Sequence, residues 1–139
     1  MNIYEQLIRD EGEVLQAYQD KFGYWTIGVG HLIDARKGGS IPHDISLQLL
    51  QQDVMHWAAQ IAETWPWTQV MDEPRRMVLV NMAHMLGIHG LSEFVTFLGF
   101  MQTGEWEKAA SDLLTTKLAG KNPERVKRLA EQIQCGEWR

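Results

Sequence analysis

The sequence predicts an α+β fold, mostly helical. A small antiparallel sheet near the N-terminus is joined by one long helix to an all-helical remainder. Three observations predict it. From Val14 to about Asp34, aromatic and β-branched residues alternate with polar ones around the turn Lys21-Phe22-Gly23, the pattern of paired short strands. Ile45, Leu49, Leu50, Val54, Trp57, Ala58 and Ile61 then recur at helical spacing, which predicts a long helix over about 44–63. From Glu73 onward the apolar residues keep to helical segments.

The elements follow in order. Asn2 is a capping residue for a first helix, with Glu5 at the reciprocal capping-box position. Ile3, Leu7 and Ile8 give that helix an apolar stripe expected to be buried, and Gly12 stops it. The strands come next, and Arg36-Lys37-Gly38-Gly39-Ser40 reads as loop. Pro66 ends the long helix. The segment of about 73–86, with Met77, Val78, Leu79, Val80, Met82, Ala83 and Leu86, is apolar enough to be central. Ser92 is placed to cap a short helix containing Phe94, Val95, Phe97 and Leu98; another helix covers about 105–117, and Pro123 opens a last one at its first turn. The expected organisation is a single domain over 1–139. A sheet lobe covers about 12–43, an inter-lobe helix about 44–63, and a helical lobe about 64–139, with helix 2–11 packing against the helical lobe. Clefts between lobes are common ligand sites.

The chain has 139 residues, enough for a real core without staples, and its one cysteine, Cys135, can form no internal disulfide. That fits synthesis in a reducing compartment. The start, Met1-Asn2-Ile3-Tyr4-Glu5, lacks a basic segment followed by an apolar one, so no secretory signal is expected. No apolar stretch approaches the roughly 20 residues of a membrane-crossing helix. A net charge of −5 argues against nucleic acid or an anionic membrane as partner. The charge is uneven: residues 1–63 hold nine acids against four bases, whereas 117–128 contains Lys117, Lys121, Arg125, Lys127 and Arg128.

The chemistry concentrates between Glu11 and His31. Glu11 and Asp20 are two acids on different elements, the arrangement glycoside hydrolysis needs, expected to face one another across a cleft. As a bland surface pair, Asp10 and Glu11 would sit badly, because the macrodipole disfavours negative charge in the last turn of a helix by roughly 0.3–1 kcal/mol. A carboxyl group kept protonated by its setting is what a proton donor requires. Asp20 is equally a favoured turn residue, and Thr26 an ordinary strand threonine. Gly28 and Gly30 mark strand bends or close backbone approach, since neither belongs to a phosphate-binding loop. His84 and His89 are five apart and no His-Glu-x-x-His occurs, so no metal site is read. Met77, Met82, Met85, Trp57 and Trp106 are read as core. Trp65 and Trp67, flanking Pro66, are read as packing under a loop in preference to an exposed sugar platform.

Taken together, Glu11, Asp20 and Thr26 followed by Gly28-Val29-Gly30-His31 resemble the N-terminal signature of the phage-type lysozymes, the muramidases of T-even phages and their relatives. Gln52-Asp53-Val54, Arg75-Arg76, Asn81-Met82, Asn122-Pro123-Glu124-Arg125-Val126-Lys127-Arg128 and Gly136-Glu137-Trp138 extend the resemblance nearly end to end. The N-terminal lobe is shorter around residues 34–43 than in the long members.

The resemblance implies a lysozyme-like fold and hydrolysis of the β-1,4 bond between N-acetylmuramic acid and N-acetylglucosamine in peptidoglycan, without a cofactor. Glu11 would be the general acid, with Asp20 and Thr26 holding the attacking water in an inverting reaction. Gly30, Leu32, His84 and Met85 would contact substrate. Arg125 would pair with Asp10 or Glu11, and His31 with Asp53. A cation beside Glu11 would favour its ionised form, opposing the helix end. His84 and Met85 stand where relatives carry an aromatic residue and a glutamine at the cleft wall; Leu118 and Lys121 replace a similar pair near the acid. The acidic net charge departs from the basic character of many phage lysozymes. The expected protein is a monomer made in the bacterial cytoplasm that acts on the cell wall after release. Two rivals are a muramidase fold that binds peptidoglycan or a protein partner without turnover, and a lytic transglycosylase, which Asp20 disfavours.

Overall fold

A computed structural model describes residues 2–33 and 39–139, without the side chain of Ile3. Residues 34–38, which include the end of the expected strand pattern and most of the expected loop, lie outside the described residues; Gly39 and Ser40 have no regular structure. The chain divides into two compact units, 1–49 and 50–139.

In the first unit, helix α1 (Ile3–Glu11) opens on the expected capping box. Asn2 Oδ1 accepts from the Glu5 amide at 3.0 Å and Glu5 Oε2 accepts from the Asn2 amide at 2.9 Å. Gly12 ends it, donating its amide to Ile8 O at 2.9 Å. Three antiparallel strands follow in the order β1 (Val14–Gln19), β2 (Trp25–Gly28) and β3 (His31–Leu32). Tyr18 opposes Thr26, which opposes Leu32, and Ile27 opposes His31. The pairing of β1 with β2 is irregular between Val14 and Tyr18. Leu7 and Ile8, expected to be buried, are 44% and 48% exposed. Thr26 is the one buried residue among the described residues of this unit.

Helix α2 (His43–Thr64) crosses from one unit into the next. Its apolar stripe is buried only near its end, at Ile61, with Trp57 and Ala58 half-buried against the core; Ile45, Leu49, Leu50 and Val54 stay exposed. Pro66 opens a 3-10 turn over Pro66–Val70.

The core belongs to the second unit. Helix α3 (Glu73–Ser92) is capped by Asp72, whose carboxylate accepts from the Arg75 amide at 3.2 Å. It buries Val78, Leu79, Val80, Met82, Ala83 and Leu91. Gly87, at φ 74° and ψ 169°, breaks the helical path, so the central segment ends at residue 86 as the sequence predicts. Helices α4 (Val95–Thr103), α5 (Trp106–Leu114), α6 (Lys117–Lys121) and α7 (Pro123–Cys135) follow.

In α7, Val126, Leu129, Ala130 and Ile133 are buried, and in α5 Ala109, Ala110 and Leu113, one stripe on each amphipathic helix. Helix α7 packs on α3, α5 and α6, and α4 packs on α5. Ser92 does not cap α4: it ends α3 and its hydroxyl donates to His89 O at 2.6 Å, while Phe94 precedes α4. The single helix expected over 105–117 stops at Leu114, and α6 begins separately at Lys117.

Arg75 straps the end of α7 to the start of α3. Its Nε donates to Ile133 O at 2.6 Å and Nη2 to Gln134 O at 3.0 Å, while its guanidinium lies 4.5 Å from the centroid of the Trp106 ring. Gln132 Nε2 donates to Pro74 O at 2.7 Å beside it. The two Arg75 bonds satisfy carbonyls of the last turn of α7 that have no partner within that helix.

Candidate active site

Helix α1 delivers Glu11 to a glycine turn. The chain passes from β2 to β3 through Val29 and Gly30, and Gly30 has φ 63°. A Cβ built on Gly30 would stand 2.9 Å from Glu11 Oε2 and 3.2 Å from its Cδ. The carboxyl group therefore lies directly against bare backbone, and any other L-residue here would be strained and would push the end of the Glu11 side chain aside. Close backbone approach, one of the two readings of this glycine from sequence, is what the structure shows. Asp10, next to Glu11, pairs with Arg9, whose Nε lies 2.7 Å from Oδ1.

Asp20 is held by the turn it begins. Its Oδ1 accepts from the amides of Phe22 and Tyr24, both at 2.9 Å. Its own amide donates to Tyr24 O at 2.8 Å, and its carbonyl accepts from Gly23 at 2.9 Å. This is the side-chain-to-backbone turn that aspartate favours. One carboxylate oxygen is thus consumed by the fold, and the other carries no hydrogen bond to the described residues.

Thr26 is 5% exposed, and its hydroxyl donates to Tyr24 O at 3.2 Å, leaving the oxygen lone pairs for a further donor. Directly opposed residues share a face of a sheet, so Tyr18, Thr26 and Leu32 form one row. His31, opposite Ile27, belongs to the other face. Glu11, Asp20, Thr26, Gly30, His31 and Leu32 all belong to the first unit. The two acids are thus carried by one unit, on a helix end and a strand turn.

The remaining sequence-predicted residues are in the second unit. Asp53 is exposed on α2 and His84 is exposed on α3. Met85 is half-buried against the core, which fits its reading as a packing residue. Arg125 Nε donates to Asn81 Oδ1 at 2.9 Å, with Nη2 3.4 Å from Asn81 O. Arg125, Asn81, His84 and Trp138 line a hollow of about 290 Å³ with the apolar side chains of Met77 and Val80. Asn81, which enters the sequence reading only as part of a matching segment, was given no role there. Its signal was a lone amide in the otherwise apolar run 77–83. Each of the expected pairs, Arg125 with Asp10 or Glu11 and His31 with Asp53, has one member in each unit. Among the described residues no three His, Cys, Asp or Glu side chains cluster as a metal site, and no single helix is long and apolar enough to cross a membrane.

A small three-stranded antiparallel sheet followed in the chain by an all-helical unit is a lysozyme-like α+β fold. Residues 9–132 match the family model described as phage lysozyme, and the chain belongs to that family. It is 31% identical to the protein named Endolysin of Salmonella phage P22, covering 86% of this chain and 83% of that one. It is 26% identical to Probable T4-type lysozyme 1 of Dictyostelium discoideum, covering 97% and 95%. It is 33% identical to the Pre-baseplate central spike protein Gp5 of Enterobacteria phage T4, over 78% of this chain but only 23% of that protein's length.

Proposed function

We propose that this protein is a lysozyme that hydrolyses the β-1,4 bond between N-acetylmuramic acid and N-acetylglucosamine in peptidoglycan. The observation that carries the reading is the Glu11 carboxyl group set against Gly30, in the same unit as Asp20 and Thr26. Membership of the phage lysozyme family supports it.

Glu11 donates its proton to the leaving glycosidic oxygen. The free oxygen of Asp20 takes a proton from water, which Thr26 Oγ1 helps to hold, and the water attacks the anomeric carbon from the opposite face. The product is the inverted anomer. Leu32, in the same row as Thr26, and Gly30 offer contacts to the sugar; His84 and Met85 are assigned the same task from the second unit. Arg125 steadies the acid, and His31 pairs with Asp53. No cofactor takes part. The protein works as a monomer, made in the bacterial cytoplasm and meeting the wall after release.

A turbidity assay on purified peptidoglycan, with mass analysis of the new reducing ends, tests the reaction. Reducing N-acetylmuramic acid ends support it; anhydro ends indicate a transglycosylase; no cleavage refutes it. A second reading has one observation in its favour: the matched relative Gp5 is a spike protein of which this chain spans less than a quarter. On that reading the unit binds wall or protein without turnover.

A further inference from the structure

Trp65 and Trp67 are not absorbed by the catalytic assignment. The 3-10 turn opened by Pro66 sets both indoles half-buried, with their inner sides on the core. Thr68, fully buried beneath, fixes the turn: its hydroxyl donates to Trp65 O at 2.8 Å and accepts from Gln69 Nε2 at 3.0 Å. The indoles form one side of an open hollow of about 320 Å³, and Val95, Leu98, Gly99 and Gln102 of α4 form the other, with Ser92 at the end of α3. That volume is at the small end of ligand sites, about 300–1,000 Å³.

Three details of the lining say what it fits. None of the lining side chains is ionisable, so a charged ligand would find no counter-ion. The Gln102 amide is exposed at the rim with no hydrogen-bond partner among the described residues, leaving donors and an acceptor for hydroxyl or acetamido groups. Gly99 leaves the α4 side bare and open: it is exposed, and a Cβ there would meet nothing within 4 Å. Flat indoles beside a neutral amide suit a sugar ring, which offers apolar C–H faces and neutral polar edges. They do not suit the ionised peptide stems of a cell wall.

We propose that the hollow between Trp65, Trp67 and α4 is a second saccharide-binding site, which takes a neutral N-acetylhexosamine unit of a glycan strand. Its lining belongs wholly to the second unit, whereas Glu11, Asp20 and Thr26 belong to the first. The proposal rests on the lysozyme reading for the glycan itself. The site would hold the enzyme on an insoluble polymer without touching the scissile bond.

The test uses the whole chain. Tri-N-acetylchitotriose is titrated into the Glu11→Gln protein while the indole N–H signals of Trp65 and Trp67 are followed by NMR. Gly99→Phe fills the hollow, and Gln102→Ala removes the rim amide; both positions are solvent-facing on α4, and circular dichroism verifies the fold. The expected result is that both indole signals shift on titration and that Gly99→Phe suppresses the shift. Gly99→Phe also weakens retention on insoluble peptidoglycan about fivefold, the loss of roughly one aromatic contact. Cleavage of a short soluble chitooligosaccharide stays unchanged in the Glu11-containing variant. Indole signals that ignore the sugar, retention unaffected by Gly99→Phe, or equal loss on the short substrate each overturn the proposal. So do indole shifts that follow protein concentration instead of sugar, which mark contact between two copies. If the wild-type chain cleaves nothing while the indoles still respond, the catalytic reading fails and the saccharide site stands.

Discussion

At the scale of single residues, Glu11 and Gly30 form one device. Glu11→Gln keeps the shape and removes the proton, so hydrolysis should fall by about 10²–10⁴-fold with the melting temperature unchanged. Retention of more than about a tenth of wild-type activity would exclude the general-acid role. Gly28 and Gly30 make a matched pair. Both have positive φ, 70° and 63°, yet a Cβ on Gly28 meets nothing within 4 Å while one on Gly30 meets Glu11. Either alanine substitution costs about 1–3 kcal/mol in strain. Gly30→Ala should cost more and should alone reduce cleavage; denaturant unfolding together with activity checks this. Truncating Glu11 to alanine should bring the two penalties together. Asp20 was legible as a turn residue because its bonds to Phe22 and Tyr24 span two and four residues. The contact of Glu11 with Gly30 was not, since the closure between helix end and hairpin is non-local and leaves only a glycine in the pattern. Asn81 was hidden for a similar reason, because its partner Arg125 lies 44 residues away.

At the scale of elements, helical periodicity located α2 within a residue at each end and the starts of α3 and α7, because their apolar stripes are regular. Boundaries decided by backbone chemistry were harder to read. Ser92 looks like a cap in the sequence, but its hydroxyl turns back to His89 O and terminates the helix before it. The split of α5 from α6 leaves no proline or glycine between Leu114 and Lys117 to announce it. Glu105, at the start of α5, carries a testable electrostatic role. Hydrogen bonds from Lys108 Nζ and Thr103 Oγ1, both at 2.7 Å, hold its carboxyl below the usual glutamate range, Lys108 contributing most. A lowered folded value adds stability that is present above the unfolded value and is lost as the pH falls through the folded one. Wild type should therefore lose, on acidification through that window, a small increment of stability that Glu105→Gln never has. The difference in their urea midpoints at neutral and acid pH measures it. Screening by solvent at this partly exposed side chain keeps the increment small.

At the scale of the whole molecule, charge should govern encounter and leave the chemistry alone. The basic segment 117–128 stands out in a chain of net charge −5. Exposed charges farther apart than about 8–10 Å are screened at physiological salt. Replacing the exposed Lys121 and Lys127 by glutamate should slow lysis of whole cells at low salt and spare a short neutral chitooligosaccharide. Equal loss on both substrates would show that these lysines shape the site itself. The strap built by Arg75 has a consequence in time as well as in space. It joins α3 to carbonyls 58 and 59 residues further along the chain, and Gln132 reaches back 58 residues to Pro74. The second unit cannot complete these bonds until α7 has left the ribosome, since α7 is synthesised after the helices it packs on. A nascent chain arrested at Asn122 should be digested readily by protease, and one that includes all of α7 should resist. Helix α7 thus times the moment at which the newly made second unit becomes durable.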